Sequence, residues 1–565
     1  MRALTPEIMD LVSPGVVTAN EVLTSIQYMP DSNIDRLWRN DIFRHFPKTF
    51  AYRLAREYEE NFLFDGWQKA NAVLQKHWQR CTLNKPPLIA NEHDLEQLAK
   101  AYAREMRITA ATLHNDIEAV IRLYPIVEMY GVMPPALNTP NLTPMGVLRR
   151  LWDDQWWLRQ LRKAHARHYE AEAIRFGCVH QYAGVYLSDS MLAKYRERKT
   201  RNRRILSRMV AINDSDQMFM LEDLIAKGVS NPVNRRNELM CRLAGFDQIA
   251  DDLGHVAEFY TITCPSRMHA RLAESGKENP KYDGSTPRES QSHISTVWKR
   301  IRAKLKRDGI EVYGFRVTEP HQDGTPHWHL LVFSHPNNIP KIREIMRHYA
   351  LETDGDEPGA RKHRFKYEPI DKTKGSAVGY IAKYVSKNID GHAIEEDNEA
   401  KLDAKSAAER VTAWASIWGI RQFQQFGGAP VTLWRELRRA KSETPEGVLQ
   451  QAFEAADSGN WAQFLKILGG AAPKRKEIPI QLAKEETNTL DKYGDLRPPL
   501  IVGVRHQTQL MKTRIHQWRI VSTKDLDRLY TANPEAATAA DGHTNARASG
   551  RRVAGSGEAA LEFCQ

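Results

Sequence analysis

The sequence contains no CxxC pair, and its five cysteines (Cys81, Cys178, Cys241, Cys264 and Cys564) are an odd number scattered along the chain. A disulfide framework is therefore excluded. Cys178 and His180 have no second pair at finger spacing, which excludes a cysteine-rich zinc module. That usage points to a reducing cytoplasm. There is no GxxxxGK[ST]: the glycine groups "GSTPRES" and "FGGAP" do not lead into a phosphate-cradling Lys-Ser/Thr. A P-loop motor is excluded, so any strand separation must be supplied by another protein. No run of 18 apolar residues occurs, and "MRALTPEIMDLVSPG" lacks the apolar core of a signal peptide. Neither a membrane span nor a secretion signal is expected.

What is present is a long, basic, ordinary globular composition. At 565 residues the chain exceeds what one core holds, so several domains are expected. Formal net charge is +11, which favours a polyanionic partner. Residues 1–140 read as helical, up to the Pro/Asn-rich break "MYGVMPPALNTPNLTP" ending at Pro144. Helical patterning resumes over 145–250. Residues 255–395 change character, with β-branched and aromatic runs in "AEFYTITCP" and "IEVYGFRVTE". Residues 396–470 return to helix, 471–565 are less regular, and the low-complexity tail from 535 reads as disordered.

The stretch "TEPHQDGTPHWHLLVFSH", residues 318–335, sets two histidines at the mouth of an apolar strand. Side chains alternate across a strand, so His327 and His329 share a face. Beyond them both faces are apolar, which predicts a central strand. A bare His-x-His is common and reads most often as a polar strand end. The Asp323-Gly324 turn signal changes the balance. A hairpin symmetric about residue 323 sets Glu319 opposite His327, bringing a carboxylate and two imidazoles together. That donor set, with positions left for water and substrate, suits a catalytic divalent ion. His321 is a rival third ligand, but in this register it falls inside the loop.

Downstream, "KGSAVGYIAKYVSKNIDG" (374–391) reads as a helix. Tyr380, Tyr384 and Lys387 lie at i, i+4 and i+7 and share one face. Val378, Ile381, Val385 and Ile389 form a separate apolar stripe, so the tyrosines are not needed for the core. With a reference pKa near 10, about one phenol in a thousand is ionised at pH 7, and nearby positive charge favours the phenolate. A phenolate can attack a phosphodiester and conserve the bond energy in a phosphotyrosyl link, without ATP.

A third feature is the run "KYRERKTRNRRILSR" from Lys194 to Arg208, with eight basic residues and one acid. Its one-signed charge (Arg196, Arg198, Lys199, Arg201, Arg203 and Arg204 within it) reads either as a solvated helix face or as a contact for a DNA backbone.

A strand "FYTITCP", a strand "HWHLLVF" and a helix "YIAKYVSK", in that order, resemble the HUH endonuclease superfamily. "GSAVGYIAKYVSKNIDG" and "WASIWGIRQFQQFGGAPVTLWRELRR" look more closely like the replication gene A proteins of temperate tailed phages, over roughly residues 140–440. The resemblance implies an α+β fold, an HUH nuclease domain whose central antiparallel sheet is flanked by helices and set within mostly helical terminal regions. It implies a site-specific single-strand endonuclease that nicks an origin, links to the 5′ end and leaves a 3′ hydroxyl primer for rolling-circle replication. Carried over by position, the metal ligands are His327, His329 and Glu319, and the nucleophiles are Tyr380 and Tyr384. Lys383 and Lys387 both fit the accompanying lysine. Mg²⁺ or Mn²⁺ is the implied cofactor. Single-stranded origin DNA, a host replicative helicase and a single-strand binding protein are the implied partners, in the bacterial cytoplasm. A relaxase or transposase on the same fold, or a basic regulator without chemistry, are the competing readings.

Overall fold

The computed structural model describes residues 33–373, 375–392, 396–397, 401–440 and 446–526. The tail from 535 and Cys564 lie outside the described residues. Within them the four cysteines are free, and no helix is long and apolar enough to cross a membrane. Chain contacts divide the molecule into two units: Met1–Met191 with Ala270–Glu278 and Glu486–Pro499, and Leu192–His269 with Asn279–Glu485 and Leu500–Gln565.

The first unit is helical. Its core gathers Leu98, Tyr102, Met106, Leu123, Val127, Leu151, Trp157 and Leu161 from the helices Glu92–Ala111, Asp116–Met129, Pro144–Leu151 and Asp154–Arg175. Local chemistry sets the helix starts. Asn91 and Asp94 form a reciprocal capping box, and Thr143, followed by Pro144 at the first helical position, caps the third of these helices. The segment 486–499 returns from far along the chain to this cap. The Asp495 carboxylate accepts hydrogen bonds from the Thr143 amide (2.9 Å) and hydroxyl (2.7 Å) and pairs with Arg150. Lys492 pairs with Asp153 at 2.7 Å. No local pattern announces this return, because the partners are about 350 residues apart.

The second unit is built on a five-stranded antiparallel sheet: β1 (Val256–Ile262), β2 (Tyr313–Pro320), β3 (Pro326–Ser334), β4 (Phe365–Pro369) and β5 (Phe423–Phe426), in spatial order β4-β1-β3-β2-β5. The strand carrying the histidines is central, as the two-sided apolar pattern predicts. One face buries Phe259, Phe315, Leu331 and Phe333 against helix Pro232–Asp252 and against the helix Ala377–Ile389, which presents Ala377, Ile381, Val385 and Ile389. The other buries Tyr260, Trp328, Leu330 and Val332 against helices Pro287–Arg307 and Ile339–Leu351. Each such large side chain contributes about 1.5–3 kcal/mol relative to exposure. The chain is thus α+β, with the sheet covered on both sides.

Two short sheets were not legible in the sequence. Met209–Asn213 pairs with Met218–Met220 and with the distant Trp518–Ser522, inside a stretch that reads as helix. Gln481–Glu485, Leu500–His506 and Gln509–Lys512 form another, in the region that reads as irregular.

The cap at Thr143 yields a test. A Cβ on Gly146 would land on the Asp495 carboxylate. Gly146→Ala is expected to lower stability by about 1–3 kcal/mol through overpacking. Added to Asp495→Ala, which removes the obstacle, it should cost nothing further. Urea unfolding of both single variants and the double variant checks this, and additive losses would contradict it.

Candidate metal centre and tyrosine helix

The hairpin pairs Glu319 with His327 and Val317 with His329, the register expected for a turn centred on Asp323. Its turn closes by hydrogen bonds from the His321 amide to the Thr325 carbonyl (2.7 Å) and from the Gly324 amide to the His321 carbonyl (2.8 Å). Gly324 has φ +84°, a left-handed conformation that glycine adopts without a Cβ penalty. The Trp414 indole donates to the Gly324 carbonyl at 2.9 Å and fixes the tip.

Glu319, His327 and His329 are all buried, with one donor atom of each lying within 4.8 Å of the others. The two Nε2 atoms are 3.0 Å apart, and Glu319 Oε2 lies 3.9 Å from His327 and 3.6 Å from His329. Ligand bonds of about 2.0–2.2 Å allow donor separations up to roughly twice that, so a small divalent ion fits between these atoms. For Glu319 and His327 the protonation states also suit. Burial works to raise the Glu319 carboxyl, but the hydrogen bond and charge of His329, the Lys387 ammonium and the Asn388 amide outweigh it, holding the group below its ordinary value. His327 is held well below the usual imidazole value, first by burial and then by His321, His329, Lys387 and His269. A carboxylate and a neutral imidazole are the ligating forms. The Thr261 hydroxyl lies 3.1 Å from His329 Nδ1, orienting the ring from its far side.

His321, the rival ligand, does not join the donor set. Its ring packs 4.1 Å from that of His327, and burial with the nearby His269 pushes its pKa to about 3. Asp323 pairs with His269 at 3.3 Å behind it.

The helix Ala377–Ile389, capped by Ser376, brings its tyrosine face to the donors. The Tyr384 ring lies 4.2 Å from the His329 ring and stacks on Phe259 at 5.1 Å. Tyr380, one turn earlier and half-buried, is outside those ring contacts. The lysines separate. Lys387 reaches Glu319 (3.8 Å) and Asp397 (3.4 Å), whereas Lys383 is exposed, 5.1 Å from the centre of the Tyr384 ring. Sequence reasoning missed Asn388, which donates to Glu319 Oε1 and to the Tyr384 carbonyl (2.6 Å). The signal was present: Tyr380, Tyr384 and Asn388 are at i, i+4 and i+8. Thr261 and Asp397 had none, since Thr261 arrives through long-range strand pairing and Asp397 from a separate short strand.

The basic run lies on helix Asp189–Leu206. It is less one-sided than its sequence, because acids arrive from elsewhere. Arg196 pairs with Glu409 at 2.6 Å and Arg203 with Glu222 at 2.9 Å, while Arg198 donates to the Ser416 hydroxyl at 3.3 Å. Lys199, Arg201 and Arg204 are exposed.

A buried carboxylate and two imidazoles on a sheet, faced by a helix-borne phenol, define a candidate divalent-metal centre with a tyrosine beside it. The sequence profile described as bacteriophage replication gene A protein (GPA) matches residues 93–392. The replication gene A protein of Escherichia phage P2 is 32% identical over 584 residues, covering 92% of this chain and 74% of that protein. That of Escherichia phage 186 is 40% identical over 391 residues, covering 67% of this chain and 56% of the relative. A probable replication endonuclease from a prophage-like region of Salmonella paratyphi A is 36% identical over 373 residues, covering 63% and 46%. This chain belongs to the bacteriophage replication gene A protein family. It spans about half the length of most of the curated relatives it matches. No solved structure matches it significantly. The family match starts at residue 93, inside the N-terminal helical unit, further upstream than the sequence motifs alone reach.

The triad can be tested as a binding site. Mn²⁺ is expected to raise the thermal midpoint of the protein but not that of His329→Ala. Thr261→Val, which removes only the orienting hydroxyl, should weaken apparent Mn²⁺ affinity by roughly 10- to 100-fold. Equal Mn²⁺-dependent shifts in all three proteins would contradict the assignment.

Proposed function

We propose that this chain is a replication initiator endonuclease of the HUH type, which nicks one strand of a phage origin and joins itself to the DNA. The observation that carries the reading is the Tyr384 ring lying against His329 of the Glu319–His327–His329 donor set, in a member of a replication protein family. Glu319, His327 and His329 would hold Mg²⁺ or Mn²⁺, which when bound polarises a phosphate oxygen and offsets charge at the phosphorus. A tyrosine Oη, having released its proton, attacks phosphorus. The bond to the 3′ oxygen breaks, that oxygen takes up a proton, and the 5′ phosphate stays on the tyrosine. Lys387, between Glu319 and Asp397, holds the helix end to the ligand carboxylate. The 3′ hydroxyl is the primer. A host helicase and a single-strand binding protein in the bacterial cytoplasm would supply what a chain without a P-loop lacks.

Two tyrosines one turn apart suit repeated rounds. While one holds the 5′ end, the other cuts the regenerated origin, and the released 3′ hydroxyl attacks the first link to close a circle. With single-stranded origin DNA and Mg²⁺, a covalent adduct on a denaturing gel is the expected result. His327→Ala and His329→Ala should abolish it and leave DNA binding largely intact. At least one of Tyr380→Phe and Tyr384→Phe should still form adduct yet fail to complete repeated rounds, and the double variant should form none. A double variant that still links to DNA would overturn the mechanism.

The helix Asp189–Leu206 is proposed as a backbone contact. Neutralising the exposed Lys199, Arg201 and Arg204 is expected to weaken binding to all DNA sequences alike and flatten the salt dependence by roughly one unit of slope per lost phosphate contact. An unchanged slope would mark a solvated helix face.

A further inference from the structure

Cross-strand register ties a second basic feature directly to the donor set. Lys366 on β4 is the partner of Thr261 on β1, and Thr261 is the partner of His329 on β3. Residues directly opposite one another project to the same face, so Lys366, Thr261 and His329 form one row across the sheet. Strands lie about 4.8 Å apart, which sets Lys366 roughly 10 Å along the sheet from His329. β4 is an edge strand, so nothing in the sheet lies beyond it. The helical turn Ala360–His363 leads into it and adds exposed Arg361, Lys362 and His363.

The neighbouring arginines are committed: Arg364 is buried against Glu357, Arg343 pairs with Glu258, and Arg267 pairs with Asp354. Arg361, Lys362 and Lys366 have no ion-pair partner among the described residues. Their backbone is nonetheless fixed. The Thr263 amide donates to the Arg364 carbonyl at 3.1 Å and its hydroxyl to the His363 carbonyl at 3.2 Å. The patch ends at Glu368, whose partner on β1 is Phe259. An unpaired Lys366 in line with the buried donor set, with unpaired Arg361 and Lys362 on the turn that leads into its strand, matches a polyanion laid across the sheet edge.

We propose that Arg361, Lys362 and Lys366 form the track along which the sugar-phosphate backbone of single-stranded DNA runs over the β4 edge to the Glu319–His327–His329 donors. This rests on the endonuclease reading above. The cations contact phosphates flanking the cut and set register and affinity, while chemistry stays with the donor set and the tyrosine helix.

The test uses the full chain and a short single-stranded origin oligonucleotide. Binding is measured with EDTA present, and cleavage with Mn²⁺. Neutralising all three residues to Ala is expected to raise KM at least tenfold with kcat within twofold. It should also make the slope of log K against log salt shallower by about 2, at roughly 0.7 per single-strand phosphate contact. Lys366→Arg should behave as wild type. Unchanged KM and salt slope in the triple variant, beside a wild-type protein that cleaves, would overturn the track and leave the endonuclease reading standing. A wild-type protein that forms no adduct would overturn that reading, and the track with it. If the triple variant loses its circular dichroism signal, Lys366→Ala against Lys366→Arg gives the same comparison at a single exposed position.

Discussion

The site depends on one cross-strand pair, Glu319 opposite His327 on an antiparallel hairpin. Because side chains alternate, that pairing puts the carboxylate on the same face as His327 and, two residues on, His329. A one-residue slip would turn the imidazoles to the opposite face and exchange them with Trp328 and Leu330. The surrounding structure guards against the slip. Gly324 permits the tight turn, Trp414 holds its carbonyl, and both faces of β3 are packed by helices, so a slip would force each face's side chains into space packed for the other set and set the imidazoles in an apolar cluster.

The second requirement is to set the tyrosine face of a helix against those donors while its apolar stripe holds it to the sheet. Ile381, Val385 and Ile389 fasten the helix Ala377–Ile389 to the sheet; on the adjacent face with Tyr380 and Asn388, Tyr384 is not free of the core as its offset from the apolar stripe suggests, since it packs there on Phe259. Asn388 then links the Tyr384 turn to Glu319 Oε1, and Lys387 adds an ionic contact to the same carboxylate. A buried, ionised carboxylate is costly unless it is hydrogen-bonded and paired. Glu319 meets that condition with groups from the tyrosine helix itself. The donors and the helix are therefore held by shared contacts.

How much of this was legible follows from the range of the interactions. The hairpin, the face shared by His327 and His329, the central position of β3 and the two faces of the tyrosine helix are all periodic or local, and the sequence carries them. Thr261 behind His329 depends on β1 pairing with β3 across more than sixty residues, and Asp397 approaches from a separate short strand. The strand Met209–Asn213 finds its partner at Trp518–Ser522, which no window of sequence could reveal. The basic run read as one-signed because Glu409 and Glu222, which pair with Arg196 and Arg203, lie outside it. The free cations beside the donor set are in "ARKHRFK", a shorter run whose meaning comes only from the register of β4 against β1.

The central claim is that Glu319, His327 and His329 form one metal centre addressed by the tyrosine helix. Anomalous diffraction from crystals of the protein grown with Mn²⁺ tests it most directly. The predicted result is a single strong manganese peak within about 2.0–2.3 Å of both Nε2 atoms and a Glu319 oxygen, with Tyr384 on the side of the ion that faces the helix. A peak at other residues, or none here at saturating Mn²⁺, would contradict it.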